Sequence, residues 1–68
     1  MNYEEKMNEL EKIIEKFDQG EVKFDQAIEF FERGSLLCKE LSDSFKQTKG
    51  KIMVIKEELG KLVEENLQ

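Results

Sequence analysis

The sequence predicts an all-α fold, an antiparallel two-helix hairpin resembling a coiled coil, with a long second helix that oligomerises into a helical bundle. Three observations lead to this prediction. The chain has 68 residues, no proline and 40% charged residues, a composition typical of long helices. Its apolar residues recur at alternating spacings of four and three, which places them on one helix face. Gly20 separates two such runs, so we expect a turn there.

The first helix is predicted over about residues 3–19. Its apolar residues follow the spacing 4, 3, 4, 3 and form one stripe: Tyr3, Met7, Leu10, Ile14 and Phe17. Gly20 is expected to end the helix, because glycine readily adopts the left-handed conformation that follows many helix ends.

The second helix is predicted over about residues 24–65, with a C-terminal end that can fray. Lys23 is a poor N-cap, although Gln26 stands at the third helical position, where it can contribute to a cap. The second apolar stripe repeats at 4 and 3 without a skip through Ala27, Phe31, Gly34, Cys38, Leu41, Phe45, Thr48, Ile52, Ile55, Leu59 and Leu62. Such a repeat indicates packing against other helices.

A turn near Gly20 brings the two stripes together within a single domain, residues 1–68. The predicted hairpin contacts involve Leu10, Ile14, Phe17, Ala27, Phe31 and Gly34, with Leu10 opposite Gly34. Glycine in a helix interior is unfavourable by roughly 0.5–1 kcal/mol relative to alanine. We therefore expect Gly34 to permit close helix approach; the alternative is an exposed glycine that is merely tolerated.

The second helix extends beyond the end of the first, and its distal apolar residues have no predicted partner within the chain. We expect a second chain or another protein to cover them, so self-association through the second helix is predicted. The candidate interface residues are Phe24, Ile28, Phe30, Leu37, Phe45, Ile52, Ile55 and Leu59.

Catalytic, metal-binding and cofactor-binding residues are not predicted. The chain has no histidine and one cysteine, Cys38, so neither a Cys–His pair nor an internal disulfide can form. Cys38 lies on the apolar stripe and is interpreted as a small core residue. The acidic N-terminal sequence does not resemble a signal peptide, and no apolar run has the length of a membrane span. A cytoplasmic protein is the expectation.

Charge is unevenly distributed along the chain. Residues 1–32 carry ten acidic and four basic residues, whereas residues 33–56 carry six basic and two acidic residues. Lys46, Lys49, Lys51 and Lys56 could contact phosphates. The net charge of −5 argues against independent DNA binding, and these lysines are better interpreted as a solvated face.

Two stretches, "YEEKMNELEKIIEKF" and "GEVKFDQAIEFFERG", together with Lys51 and Ile52, resemble the small subunit of bacterial exodeoxyribonuclease VII. The resemblance covers about residues 3–55. The matching positions are Leu10, Glu11, Ile13, Ile14, Gly20, Val22, Phe24, Ala27, Ile28, Phe31, Glu32, Gly34, Lys51 and Ile52. Lys23 and the pair Thr48–Lys49 depart from the family pattern, but neither departure removes an apolar stripe residue.

The resemblance implies an accessory subunit without an active site of its own. It would stabilise the exodeoxyribonuclease VII large subunit, which carries the nuclease and DNA-binding domains and hydrolyses single-stranded DNA from its ends to short oligonucleotides. DNA would then be reached only through the large subunit. Two alternatives remain open: a free-standing homo-oligomeric coiled-coil adaptor or regulator, and an independent DNA-binding protein.

Overall fold

The computed structural model describes residues 2–67, which form three α-helices. They are α1 (Tyr3–Asp18), α2 (Phe24–Ser44) and α3 (Lys49–Leu67), and one 3₁₀ turn, Lys46–Thr48, precedes α3. No strand occurs within residues 2–67. The predicted all-α class is confirmed.

Helix α1 has a complete capping box at its start and a glycine just beyond its end. The Asn2 side-chain oxygen accepts from the Glu5 N–H at 2.9 Å, and the Glu5 carboxylate accepts from the Asn2 N–H at 3.3 Å. Gly20 has φ +71°, and its N–H donates to the Phe17 carbonyl at 3.1 Å. A residue with a Cβ rarely adopts this conformation, which explains why glycine ends α1.

Helix α2 begins with half of a capping box. Lys23 has the extended backbone of an N-cap residue, φ −79° and ψ 159°, and its N–H donates to the Gln26 side-chain oxygen at 3.2 Å. The lysine ammonium has only donors, so it cannot accept from the N–H groups of the first turn. Lys23 is therefore the poor N-cap that the sequence predicts.

The predicted continuous second helix over residues 24–65 is wrong. α2 ends at Ser44, and Phe45 leaves the helical region with φ −132° and ψ 77°. The Thr48 N–H and hydroxyl both donate to the Phe45 carbonyl, at 2.9 and 2.8 Å. Residues 46–51 are Lys, Gln, Thr, Lys, Gly and Lys, so this segment has no apolar side chain that would favour a straight helix. Folding back instead buries Ile52 and Leu59 against the chain's own helices.

Helix α3 runs back along α2 toward the turn that follows α1. Leu59 lies directly over Gly34, and the Asn66 side-chain amide donates to the Val22 carbonyl at 3.1 Å. The distal apolar residues thus have partners within one chain, which corrects the expectation that they await a second chain. The two-helix architecture is replaced by three helices.

The core lies where the three helices meet. Its largest fully buried side chains are Leu10, Leu37, Cys38, Leu41, Ile52 and Leu59. They come from all three helices, so no pair of helices alone encloses the core. Burying a leucine or isoleucine side chain contributes roughly 1.5–3 kcal/mol. Helix α3 therefore accounts for a substantial part of the stability of this small fold.

Candidate interaction surface

Within residues 2–67, no cluster of three or more histidine, cysteine, aspartate or glutamate residues is arranged so that it could hold a metal ion. Burial raises the pKa of the Cys38 thiol, and the nearby Lys56 opposes that shift only in part. Cys38 is 1% exposed. It is a core group, as its place in the sequence predicts, and not an activated nucleophile.

No helix of the described part of the chain is long and apolar enough to cross a membrane.

Two ion pairs join α1 to α2. The Arg33 guanidinium donates to both carboxylate oxygens of Glu9, with the Nη2–Oε1 distance at 2.9 Å. The Lys6 ammonium lies 3.4 Å from a Glu40 carboxylate oxygen. The hydrogen bonds and charge of Arg33 lower the pKa of Glu9. A bidentate pair has a restricted geometry, so it helps to fix the register of α1 on α2.

The predicted hairpin residues are mostly internal. Leu10, Phe17, Ala27 and Gly34 are buried, and Ile14 is half-buried. A Cβ placed on Gly34 would lie 3.7 Å from Leu10 Cδ1, so the expected proximity of these residues is confirmed. The tighter contact, however, is with Leu59 of α3, which the sequence did not indicate.

The expectation that Phe31 packs inside the hairpin is wrong, because its side chain is 38% exposed. It follows Phe24 and Ile28 at spacings of four and three, so the three lie on one face of α2. Phe24 is 69% exposed and Ile28 40%. We call Phe24, Ile28 and Phe31 the α2 stripe. Three large apolar side chains grouped on one helix face are typical of a docking site.

The remaining candidate interface residues are divided between core and surface. Leu37, Ile52 and Leu59 are buried in this chain's own core, where no partner can reach them in this conformation. Phe30 and Ile55 are half-buried against the core. Phe45 is 41% exposed, and its ring packs edge-to-face with the Tyr3 ring, with centroids 4.8 Å apart.

A shallow groove of about 410 Å³ lies between α2 and α3. Leu36 and Met53, both substantially exposed, form part of it together with Lys39 and Lys56. The Ser35 hydroxyl also borders the groove, and it is buried without a hydrogen-bond partner. Leu36 and Met53 were not predicted as surface residues because both fall outside the 4, 3 repeat. They lie in one groove only because α3 folds back along α2, and the repeat does not predict that return.

The four lysines considered as phosphate contacts, Lys46, Lys49, Lys51 and Lys56, are all exposed. Lys46 and Lys49 lie in the connection between α2 and α3, whereas Lys51 and Lys56 lie on α3. Their exposure agrees with a solvated face.

These features define a small all-helical protein in which most of the exposed large apolar residues lie on α2 and along the α2–α3 groove. A family model described as "Exonuclease VII small subunit" matches residues 3–54. The match covers more than half of the chain, so the chain belongs to the exonuclease VII small subunit family.

Curated relatives agree with this assignment. The chain is 36% identical over 55 residues to an exodeoxyribonuclease 7 small subunit of Ruegeria pomeroyi, covering 81% of this chain and 76% of that protein. It is 36% identical over 66 residues to the one of Elusimicrobium minutum, covering 97% and 88%. The small subunit of Geobacillus thermodenitrificans is 36% identical over 63 residues, covering 93% and 83%. No solved structure matches the chain.

Proposed function

We propose that this chain is the non-catalytic small subunit of an exodeoxyribonuclease VII-like complex and that it stabilises the catalytic large subunit. Membership in the small-subunit family is the observation that carries the proposal. The complex would hydrolyse single-stranded DNA from its ends to short oligonucleotides. With a net charge of −5, this chain would reach DNA only through the large subunit.

The α2 stripe is the proposed contact with the large subunit. Phe24, Ile28 and Phe31 present aromatic and aliphatic groups at i, i+4 and i+7, the spacing with which one helix packs against another. The α2–α3 groove adjoins α2, and its exposed Leu36 and Met53 side chains extend the apolar surface available to a partner. The large-subunit segment that fits such a surface is an amphipathic helix.

Co-purification with the large subunit tests this contact. Ile28→Glu places a charge in the α2 stripe at an exposed position, so it should leave the fold intact while weakening capture of the large subunit at least about tenfold. The matched control is Val54→Glu, since Val54 is 64% exposed on α3 and outside the α2 stripe. Equal capture by both variants would exclude the α2 stripe as the contact.

Nuclease assays on labelled single-stranded DNA test the proposal that this chain is non-catalytic. The purified chain should digest none with any divalent metal, whereas the reconstituted complex should release short oligonucleotides. Activity that follows this chain through purification, and that disappears when one of its acidic residues is replaced, would contradict the non-catalytic role.

A homo-oligomeric coiled-coil adaptor is the weaker candidate. It depends on an unpaired apolar stripe beyond Leu41, whereas Ile52 and Leu59 of that stripe are buried within one chain.

A further inference from the structure

The connection between α2 and α3 is close to being a continuous helix. Lys46–Thr48 form a 3₁₀ turn, and Lys49 has φ −55° and ψ −45°, values of an ordinary α-helix. Phe45, with φ −132° and ψ 77°, is the connection residue whose dihedral angles lie clearly outside the helical region. A change in the backbone of one residue, with a slight relaxation of the 3₁₀ turn, would therefore join α2 to α3.

The sequence of the connection does not prevent this joining. The chain has no proline, and the positive-φ glycine among the described residues, Gly20, belongs to the other turn. The apolar repeat continues across the connection at 4 and 3 through Leu41, Phe45, Thr48 and Ile52. A straight helix would thus carry one continuous apolar stripe, and the same residues are compatible with both conformations.

A straight conformation is unfavourable for an isolated chain. It would expose Ile52, Leu59 and Val63 of α3, and it would uncover Gly34 and Cys38 of α2, all of which are now buried. The straight form can therefore accumulate only if another surface covers both sets of residues at once.

A second copy of this chain is the partner that covers both sets without any new type of contact. We propose that two copies exchange α3, so that Leu59 of each chain packs over Gly34 of the other. The Asn66 amide of each chain then donates to the Val22 carbonyl of the other. The contact is reciprocal, as in a twofold dimer formed by exchange of an identical element. This inference does not depend on the large subunit.

A proline in the connection is compatible with the folded-back conformation but not with the straight helix. Lys46 is the first residue of the 3₁₀ turn, a position at which the missing N–H of proline is tolerated. Inside a continuous helix, the same proline would remove one hydrogen bond and clash with the carbonyl of Ser42. Lys46→Pro should therefore permit the folded-back chain and prevent exchange, and Lys46→Ala controls for the lost charge.

The measurement is the molar mass by light scattering after refolding at increasing concentration, up to about 1 mM, because exchange follows mass action. Wild type and Lys46→Ala should form a dimer fraction that grows with concentration. Lys46→Pro should dimerise at least about tenfold more weakly while retaining its helical circular dichroism. Ile28→Glu should dimerise like wild type, which distinguishes exchange from association through the α2 stripe.

An insertion of a flexible Gly/Ser segment of about four residues between Gln47 and Thr48 gives a second test. It interrupts any continuous helix yet leaves α3 free to fold back, so it should yield monomers even if Lys46→Pro does not fold. A wild type that stays monomeric throughout would overturn the proposal. So would proline or insertion variants that dimerise as strongly as wild type.

Discussion

Gly34 lies at a close contact between α2 and its neighbouring helices. A Cβ at this position would collide with Leu59 Cδ2 and lie 3.7 Å from Leu10 Cδ1. Both leucines are fully buried, so neither can move freely out of the way. The glycine is thus explained by packing against two helices, one of which the sequence did not place there.

Whether Gly34→Ala raises or lowers the free energy of unfolding should depend on the side chain at position 59. In wild type, overpacking of about 1–3 kcal/mol should exceed the roughly 1 kcal/mol gained in helix propensity, so the free energy of unfolding should fall. In a Leu59→Ala background the collision is gone, and Gly34→Ala should raise the free energy of unfolding by up to about 1 kcal/mol. Urea unfolding of the four proteins measures this coupling.

Gly60→Ala is the matched control for this cycle. Nothing lies within 4 Å of a Cβ built on Gly60, so this variant should be stabilised by about 0.5–1 kcal/mol whatever residue stands at 59. If Gly34→Ala behaves like Gly60→Ala in wild type, Gly34 is not a packing glycine.

The start of α2 can be improved, since its capping box is half formed. Serine at position 23 can accept from an N–H of the first turn, while Gln26 continues to accept from the backbone N–H of residue 23. Lys23→Ser should therefore raise the free energy of unfolding by about 0.5–1 kcal/mol. Thermal melting checks this, and Lys12→Ser in the middle of α1 should not reproduce the gain.

The pairing of Glu9 with Arg33 makes the α1–α2 contact sensitive to acid. Because hydrogen bonds from Arg33 lower the pKa of Glu9 in the folded state, the pair stabilises the fold above the unfolded pKa of the carboxyl. That stabilisation is lost as the pH falls through the lowered folded pKa. Glu9→Gln should flatten the decline in melting temperature below about pH 4.5. A Glu11→Gln control should not, and an unchanged decline in Glu9→Gln would exclude this linkage.

The positions of helices are predictable from sequence where a local rule applies. The start of α1, its end just before Gly20 and the start of α2 at Phe24 follow from spacing and capping residues. The interruption at Phe45 has no such rule, because the apolar repeat continues through it and no proline marks it. Residues 46–51, which have no apolar side chain, are the one local hint of the interruption, and they depart from the apolar repeat only at Thr48.

The surface was harder to predict than the fold. Exposure depends on which elements cover a residue, so the return of α3 buried Leu37, Ile52 and Leu59 while Phe31 stayed exposed. Phe24 and Ile28 could be predicted from the sequence because they lie beside the apolar repeat on α2, and both are exposed in the structure.

A substitution at Ile52 tests whether α3 belongs to the chain's own core. Ile52→Asp removes a fully buried apolar side chain and buries a carboxylate without a partner. The loss should be at least about 3 kcal/mol, enough to unfold most of so small a protein. Circular dichroism should show lost helicity, whereas Val54→Asp at an exposed position should remain folded.

Sedimentation of the same variants tests the alternative that Ile52 packs between two chains. If Ile52→Asp kept its full helicity and changed only from dimer to monomer, Ile52 would lie between chains rather than within one.

The hydrogen bond from Asn66 to Val22 joins residues 44 positions apart, one near the C-terminal end of α3 and the other in the turn between α1 and α2. A contact between residues so far apart closes a long loop, and the entropy cost of closing a loop rises with its length. When the fold opens locally, the C-terminal end of α3 is therefore expected to be released before the contacts between α1 and α2.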